Sequence, residues 1–340
     1  MFEKPSQDEI YLQNIREPLV EIFQHKGSSE CAIDPKDPMC NFEQLPYKDF
    51  KSKFSIEFSK IPKSSFVRNA FAEGLLIKKT QNINPFKFGF IGSTDTHLGT
   101  PGLVDEQVFD GHGGAGKSFR ESIPEGLPDD IEFNPGGLAV VWAEENSRTS
   151  IFSALKRKEV YGTSGPRFLV RFFLGDDLDE NLCNRSDAIS HAYENGVPMG
   201  GTVKSNSMDK VKLFVSASSD LSNDKQYIEK LQVIKGVIKN GEVETSIYDI
   251  KTSEPTKLDL NTCEVVGSGV KSMCALWEDK DFNKGDEAYY YVRVIANQSC
   301  RWSHDLCVKN PNYCQEDEDA SIPKFIQERA WTSPVWLENL

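Results

Sequence analysis

The sequence of 340 residues lacks both an excess of positive charge and long apolar runs. Its 39 Lys and Arg side chains are outnumbered by 52 Asp and Glu side chains, so the formal net charge is −13. Proteins that bind nucleic acids or anionic membranes carry basic patches, so this balance argues against both kinds of partner. No apolar run approaches the roughly 20 residues that a transmembrane helix needs. The sequence therefore predicts no membrane span.

Closely spaced histidine and cysteine pairs are lacking as well. None of the eight cysteines belongs to a short C-x₂₋₄-C pair, the spacing typical of zinc sites. Disulfides across loops, as in "CAIDPKDPMC" (31–40), fit the cysteine spacing better and indicate an oxidising compartment. No H-x-H pair occurs among the five histidines, which are His25, His97, His112, His191 and His304.

The N-terminus also lacks a signal peptide. The segment "MFEKPSQDEI", residues 1–10, has neither a basic n-region nor an apolar h-region. Disulfide-type cysteines and a missing signal peptide conflict, unless residue 1 is not the biological start of the protein. We therefore expect that an N-terminal part with a signal peptide is missing, and that the protein is periplasmic or extracellular.

The pattern of the chain changes near Gly165-Pro166. Before this point, the apolar strand patterns over 86–91 and 136–143 alternate with helical patterns, which is typical of an α/β layout. After it, short strands with a period of two dominate, and Asn240-Gly241 between two of them is a strong hairpin signal. The sequence predicts an α/β domain over 1–165 and a β-rich, sandwich-like domain over 166–340.

A glycine-rich stretch, "GHGGAGKS" (111–118), fits the phosphate-binding pattern G-x-x-x-x-G-K-[ST]. Such a loop must follow a buried strand and open a helix. The preceding segment is polar, and Pro124 and Pro128 interrupt the region where the helix would continue. We therefore interpret the stretch as a loop, either flexible or part of an active site. Within it, His112 and Lys117 could bind an anionic oxygen or move a proton, so we predict them as catalytic candidates.

Asp95-Thr96-His97 directly follows the strand predicted over 86–91. Residues i and i+2 of an extended chain share a face, so Asp95 and His97 would project together from the strand's C-terminal end. A carboxylate and an imidazole make half of a site for Zn, Mn or Fe. Glu21 and His25, in and just after the strand predicted over 18–24, could reach the same site. A turn-capping Asp, a solvent-facing Glu and a His bonded to backbone are the structural alternatives.

Several long segments resemble a known family. They include "FIGSTDTHLGTPG" (90–102), the glycine-rich loop and "NPGGLAVVWAEENSRTSIFSALKRKEVYGTSGPR" (134–167). With "GVPMGG" and "IQERAWTSPVW" further on, the chain resembles, over nearly its whole length, a bacterial family known as a domain of unknown function. That family is similar to metal-dependent hydrolases of the polymerase-and-histidinol-phosphatase (PHP) superfamily.

The resemblance implies a distorted β/α barrel whose His, Asp and Glu side chains hold two or three metal ions at the C-terminal ends of strands. Asp95 and His97 match the late D-x-H ligand pair, whereas the early H-x-H pair is missing. This implies that the chain is the C-terminal part of a PHP-like barrel, followed by the β-rich domain.

The function implied is a metal-dependent hydrolase that acts, when full length, on a small or oligomeric anionic substrate of the phosphoester type. A water bound to the divalent metal would be the nucleophile. Two alternatives stay open. One is a non-catalytic extracytoplasmic binding protein with Trp302, Trp331 or Trp336 as ligand platforms, although large aromatics are more often part of the core. The other is an inactive fragment.

Overall fold

A computed structural model describes residues 6–44, 47–48, 55–56, 62–95, 99, 101–107, 109, 133–309, 311 and 323–339. The helices are α1 (Gln7–Arg16), α2 (Val67–Gln81), α3 (Arg148–Arg157), α4 (Ala188–Asn195) and α5 (Trp302–Lys309). The strands are β1 (Leu19–Gln24), β2 (Gly27–Ser28), β3 (Tyr47–Lys48), β4 (Ser55–Ile56), β5 (Gly89–Gly92), β6 (Leu138–Val141), β7 (Val160–Thr163), β8 (Leu169–Gly175), β9 (Val197–Pro198), β10 (Thr202–Lys204), β11 (Lys212–Ser218), β12 (Ile228–Lys239), β13 (Glu242–Thr252), β14 (Lys257–Asp259), β15 (Glu264–Val266), β16 (Ser272–Glu278), β17 (Ala288–Cys300), β18 (Phe325–Thr332) and β19 (Val335–Glu338).

The long strand β17 lies at the centre of an eight-stranded sheet. On one side it pairs antiparallel with β12, which turns at Asn240-Gly241 into β13. Both turn residues have positive φ, 52° and 87°, as the predicted two-residue hairpin requires. On the other side β17 pairs first with β19 and then with β18, and β10, β7 and β6 extend the sheet beyond them.

One face of this sheet packs against a four-stranded sheet with the order β16-β11-β8-β9. Phe172 and Leu213 from the smaller sheet share one buried core with Val233, Tyr290 and Val292 from the larger. The strands expected after residue 166 therefore form a mixed but mainly antiparallel, sandwich-like arrangement.

The opposite face of the eight-stranded sheet is covered by α2 and by the parallel pair β1–β5. Phe71 of α2 lies between Phe90 and Trp336, with ring centroids 5.4 and 5.2 Å away. Trp331 and Trp336 are fully buried, and Trp302 is 2% exposed. The hypothesis that these tryptophans are ligand platforms is therefore wrong, because their rings fill the core.

A close backbone approach joins β5 to β7 of the eight-stranded sheet. A Cβ atom added at Gly92 would lie 2.7 Å from the Thr163 carbonyl oxygen, and one added at Gly162 would lie 2.9 Å from the Gly92 nitrogen. Only glycine permits this approach. The contact holds the C-terminal ends of β1 and β5 beside the larger sheet.

The sheets in the described part of the chain are open, and β1–β5 and β10–β19 are their parallel pairs. A PHP-like barrel is therefore not seen among these residues. The predicted division at residue 165 stays a prediction, and the eight-stranded sheet combines β6 and β7 from before that residue with strands from after it.

A buried group of two acids and two arginines ties the N-terminal layer to the sheet. This Arg293 cluster consists of Glu30 and Asp37, which follow β2, together with Arg68 of α2 and Arg293 of β17. Arg68 contacts Glu30 at 2.6 Å and Asp37 at 2.7 Å, and Arg293 contacts the same two carboxylates at 3.3 and 3.0 Å. The two acids and the two guanidinium groups balance in charge, as buried ions require, while the Arg293 Nε atom has no hydrogen-bond partner among the described residues.

Disulfides brace several loops, as the cysteine spacing predicts. The pairs are Cys31–Cys40, Cys183–Cys274 and Cys263–Cys300, and Cys307 is disulfide-bonded as well. Such bonds persist in oxidising surroundings, which indicates an environment outside the cytoplasm. In the described part of the chain, none of the helices has the length and apolar character to cross a bilayer.

Candidate functional site

The C-terminal ends of β1 and β5 lie side by side because the two strands are parallel. Glu21 is paired with Ile91, whereas Phe23 is paired with Gly92, so β1 carries one extra residue, Ile22, at a bulge. Bulges re-aim side chains and are frequent beside functional sites. The bulge here is next to the predicted ligand Glu21.

Beyond the strands, backbone hydrogen bonds continue to join the two segments. The Ser93 N–H donates to the Phe23 carbonyl at 3.0 Å, and the His25 N–H donates to the Thr94 carbonyl at 3.3 Å. The two segments that the sequence predicts to carry ligands are therefore adjacent at this edge.

The two predicted carboxylates are half-buried and interact with each other. Glu21 accepts a hydrogen bond from the Ser93 hydroxyl, and Asp95 forms an ion pair with the Lys26 ammonium. Burial raises the pKa of Glu21, and the nearby Asp95 charge raises it further, while the Ser93 hydrogen bond and the Lys26 charge oppose this. Glu21 and Asp95 therefore belong to one electrostatic site.

Asp95 has an uncommon backbone conformation. Its φ is 53°, in the left-handed region that non-glycine residues seldom occupy. The loop before β6 packs against this turn: Gly136, with φ 102°, would place a Cβ 2.7 Å from the Thr94 Cα, and the Gly137 N–H donates to the Ser93 carbonyl at 2.7 Å. Residues held in sparse backbone regions cluster at functional sites.

His25 is almost fully buried, with 1% exposure, at the same edge. Its ring contacts the Phe133 ring at a centroid distance of 5.4 Å, and its carbonyl accepts a hydrogen bond of 2.8 Å from the Asn134 N–H. The prediction that His25 lies beside the two carboxylate-bearing segments is therefore consistent with the fold.

Groups of three possible ligand atoms within 4.8 Å of one another occur at two places among the described residues. They are Cys31, Asp37 and Cys40, and Cys263, Cys300 and His304. In each group the cysteines form a disulfide, and a disulfide sulfur is not the thiolate that binds metals. Glu21, His25 and Asp95 are not gathered this closely, so a metal centre there would need further ligands.

Three predicted site residues lie outside the described part of the chain. His97 is the second ligand of the D-x-H pair, and His112 and Lys117 belong to the glycine-rich loop. Their roles stay predictions.

Lys26 and Ser93 are the members of the site that the sequence interpretation missed. A signal for Ser93 was available, because it precedes Asp95 by two residues and follows the same strand. Lys26 follows His25 directly, but its ion pair with Asp95 forms because β1 pairs with β5. No local sequence pattern predicts that pairing.

A family model described as "Protein of unknown function (DUF3604)" matches residues 3–339. The chain belongs to this family. No curated protein and no solved structure matches it. The DUF3604 match covers the candidate site and the sandwich-like sheets together, so both are parts of one family unit.

Proposed function

We propose that this DUF3604 chain is the metal-binding part of a hydrolase for anionic, phosphoester-type substrates. The observation that supports the proposal is that Glu21 and Asp95 lie near each other, at the adjacent C-terminal ends of two parallel strands. Open α/β sheets bind their ligands at this edge. Carboxylate oxygens together with imidazole nitrogens suit Zn, Mn and Fe.

In this proposal Glu21 and Asp95 supply oxygen ligands, and His25 and His97 supply nitrogen ligands. The ion pair between Lys26 and Asp95 supports it, because the site already attracts a positive charge. A bound divalent metal would lower the pKa of a water molecule and polarise the ester. Lys26, released from Asp95, would then pair with an anionic oxygen of the substrate.

The strands and loops around this site have roles in the proposal as well. We propose that β1 and β5, covered by α2, are strands of a PHP-like barrel and that His112 and Lys117 contact the substrate. The disulfides support a periplasmic or extracellular location for the reaction.

Metal content tests the proposal directly. The purified chain is incubated with ZnCl₂ or MnCl₂, dialysed, and measured by elemental analysis, and hydrolysis of p-nitrophenyl phosphate is followed in parallel. We expect near-stoichiometric metal in the wild type and at least tenfold weaker binding in Glu21→Gln and Asp95→Asn, because each loses an anionic ligand. Hydrolysis should fall together with the metal content.

Asp209→Asn is the matched control. Asp209 is an exposed carboxylate that forms an ion pair with Lys284, and both residues lie far along the chain from β1 and β5. It should bind metal like the wild type. Wild-type protein without metal, or metal binding that survives both carboxylate substitutions, would contradict the proposal.

A further inference from the structure

A second candidate site is a cleft of about 480 Å³. Its walls come from residues 104–107, 165–167 and 262–265, from β17, β18 and α5, and from Asp220, Ser222, Asn223, Lys225 and Gln226. Glu21, His25 and Asp95 do not line it, so the cleft is separate from the site proposed above and the inference does not rest on that proposal.

Two carboxyl groups in the wall of the cleft belong to a second buried charge group. This Glu106 cluster consists of Glu43, Glu106, Glu328 and Arg301. Their exposed fractions are 3, 8, 3 and 0%. Glu106 and Glu328 line the cleft, whereas Glu43 and Arg301 lie behind it.

Most polar atoms of the cluster have partners within the protein. Arg301 donates to both carboxylate oxygens of Glu43, at 3.2 Å each. The Asn134 side-chain amide bridges Glu43 and Glu106, at 3.2 and 3.1 Å. Glu106 also accepts a hydrogen bond from the Trp302 backbone N–H. These contacts hold Glu106 rigidly in the wall.

Glu328 differs from its neighbours. Its Oε2 atom accepts a hydrogen bond from the Ser164 hydroxyl, while its buried Oε1 atom has no hydrogen-bond partner in the described part of the chain. Buried polar atoms are nearly always hydrogen-bonded, so an exception in a cleft wall points to a partner outside the protein.

Positive charge is in deficit around this pair. Three carboxyl groups have two guanidinium groups beside them. Arg301 donates to Glu43 and its charge also acts on Glu106, whereas the charge of Arg329, which donates to the Met39 carbonyl at 3.0 Å, acts on Glu328. Burial raises the pKa of Glu106 to about 8, with Arg301 opposing the change and Glu43 adding to it. Burial and the Glu106 charge likewise raise the pKa of Glu328 well above its ordinary value. Both shifts favour the protonated form of the pair when no cation is bound.

The rest of the cleft continues this negative character. Three basic side chains line it, against six acidic ones, which are Asp105, Glu106, Asp220, Glu264, Asp305 and Glu328. The Cys263–Cys300 disulfide joins two lining residues and fixes that part of the wall. Most of the lining residues are polar or charged, which suits a polar, positively charged ligand better than an apolar one.

We propose that this cleft binds a small aliphatic amine, with its ammonium group held by Glu328 and Glu106. A primary ammonium group has three donors, and the Glu328 Oε1 atom is an acceptor without a partner among the described residues. The cleft volume accommodates a chain of several carbons. A lone Ca²⁺ ion would need six to eight oxygen ligands and would leave most of that volume unfilled.

The test is isothermal titration calorimetry with 1,4-diaminobutane in phosphate buffer at pH 7.5, because Tris is itself an amine. We expect one molecule bound per chain and no binding of the neutral isostere 1,4-butanediol. Glu328→Gln and Glu106→Gln should each weaken the diamine at least tenfold. Glu244→Gln, which removes an exposed carboxylate of β13 outside the cleft, should bind like the wild type.

Proton linkage provides a test that needs no variant. Alkyl amines stay charged well above neutral pH, like lysine, so diamine binding should expel the proton held by the carboxyl pair. Titrations in two buffers of different ionisation enthalpy should then report proton release. Equal binding of diamine and butanediol, no proton release, or binding of Ca²⁺ without binding of the diamine would overturn the proposal. Circular dichroism and thermal unfolding confirm that each variant is folded.

Discussion

Glu30 of the Arg293 cluster and Glu106 of the Glu106 cluster are both buried, yet the pKa values of their carboxyl groups shift in opposite directions. In the Arg293 cluster, burial alone would raise the pKa of Glu30, but Arg293 and Arg68 outweigh it and hold the pKa at about 2. In the Glu106 cluster, Glu106 shares the Arg301 guanidinium with Glu43, and the pKa of Glu106 rises to about 8. The number of counter-charges, rather than the depth of burial, decides the direction.

The hydrogen bonds of the two clusters differ too, and they indicate a structural role for Glu30 and a binding role for Glu328. Glu30 has every bond that it needs, including hydrogen bonds from the Tyr291 hydroxyl at 2.6 Å and the Trp331 indole at 2.7 Å. Glu328 keeps one oxygen without a partner among the described residues and faces a cleft. A carboxyl group whose two oxygens are both paired joins layers of the fold, whereas one with an unpaired oxygen can take up a cation or a proton.

Removing the central cation of the matched cluster should have the largest effect on stability. Arg293→Met leaves Glu30 and Asp37 with Arg68 as the remaining member of the cluster that carries positive charge. Breaking a buried ion pair from one side typically costs about 3–5 kcal/mol, because a buried charge loses its compensation. Urea denaturation at pH 7 should show a loss of this size in the free energy of unfolding.

Arg185→Met is the control for that experiment. Arg185 pairs with Asp179 and Asp187 on the surface, and exposed pairs contribute about 0–1 kcal/mol. Similar losses in the two variants would mean that the Arg293 cluster is not the junction that its contacts indicate.

Acid should weaken the matched cluster by a somewhat smaller amount. The pKa of Glu30 is about 2 in the folded protein and 4.5 ordinarily, so its contribution is present above pH 4.5 and is lost as the pH falls towards 2. One pKa unit corresponds to about 1.4 kcal/mol, which predicts a loss on the order of 3 kcal/mol. The double variant Glu30→Met/Arg293→Met keeps Asp37 with Arg68 and should lose correspondingly less between pH 5 and 2. Parallel pH profiles of the two proteins would refute the assignment to Glu30.

Alkali should weaken the other cluster by a comparable amount. The pKa of Glu106 lies above its ordinary value, so its contribution is full below pH 4.5 and is lost as the pH rises through about 8. Between pH 5 and 8 the wild type should lose on the order of 4 kcal/mol more stability than Glu106→Gln, which cannot ionise, because each pH unit corresponds to about 1.4 kcal/mol. Glu264→Gln, at an exposed residue on the rim of the same cleft, should follow the wild-type profile. A wild-type profile no steeper than that of Glu106→Gln would remove Glu106 as the cause.

Local patterns were sufficient for several elements of the fold. The apolar runs over 18–24 and 136–143 predicted β1 and β6, and Asn240-Gly241 predicted the β12–β13 hairpin, because these signals depend on neighbours along the chain. The strand predicted over 86–91 begins later, at Gly89, since the Asn84 side chain accepts from the Phe86 N–H in a turn. The alternation of phenylalanines could not reveal this competition.

The candidate site was predictable in part. Placing Glu21, His25 and Asp95 at one edge required only that β1 and β5 be parallel neighbours. The bulge at Ile22, the left-handed backbone of Asp95 and the ion pair with Lys26 were not predictable, since each depends on how two distant segments are aligned. The sequence interpretation did not find the Glu106 cluster, because its members lie far apart along the chain. In the sequence, each of its glutamates looks like an ordinary surface glutamate.

The periodicity of the strands, the turn chemistry, the acidic charge and the disulfide-forming character of the cysteines could be read from the sequence, because these properties depend on single residues or near neighbours. Folding determines which acidic side chains lie beside arginines and which lie beside other acids. Glu30 and Glu106 have the same side chain, and a pKa of about 2 or about 8 follows from the charges that the folded chain gathers around each one. Electrostatic energy depends on distance in space, which a linear sequence does not contain.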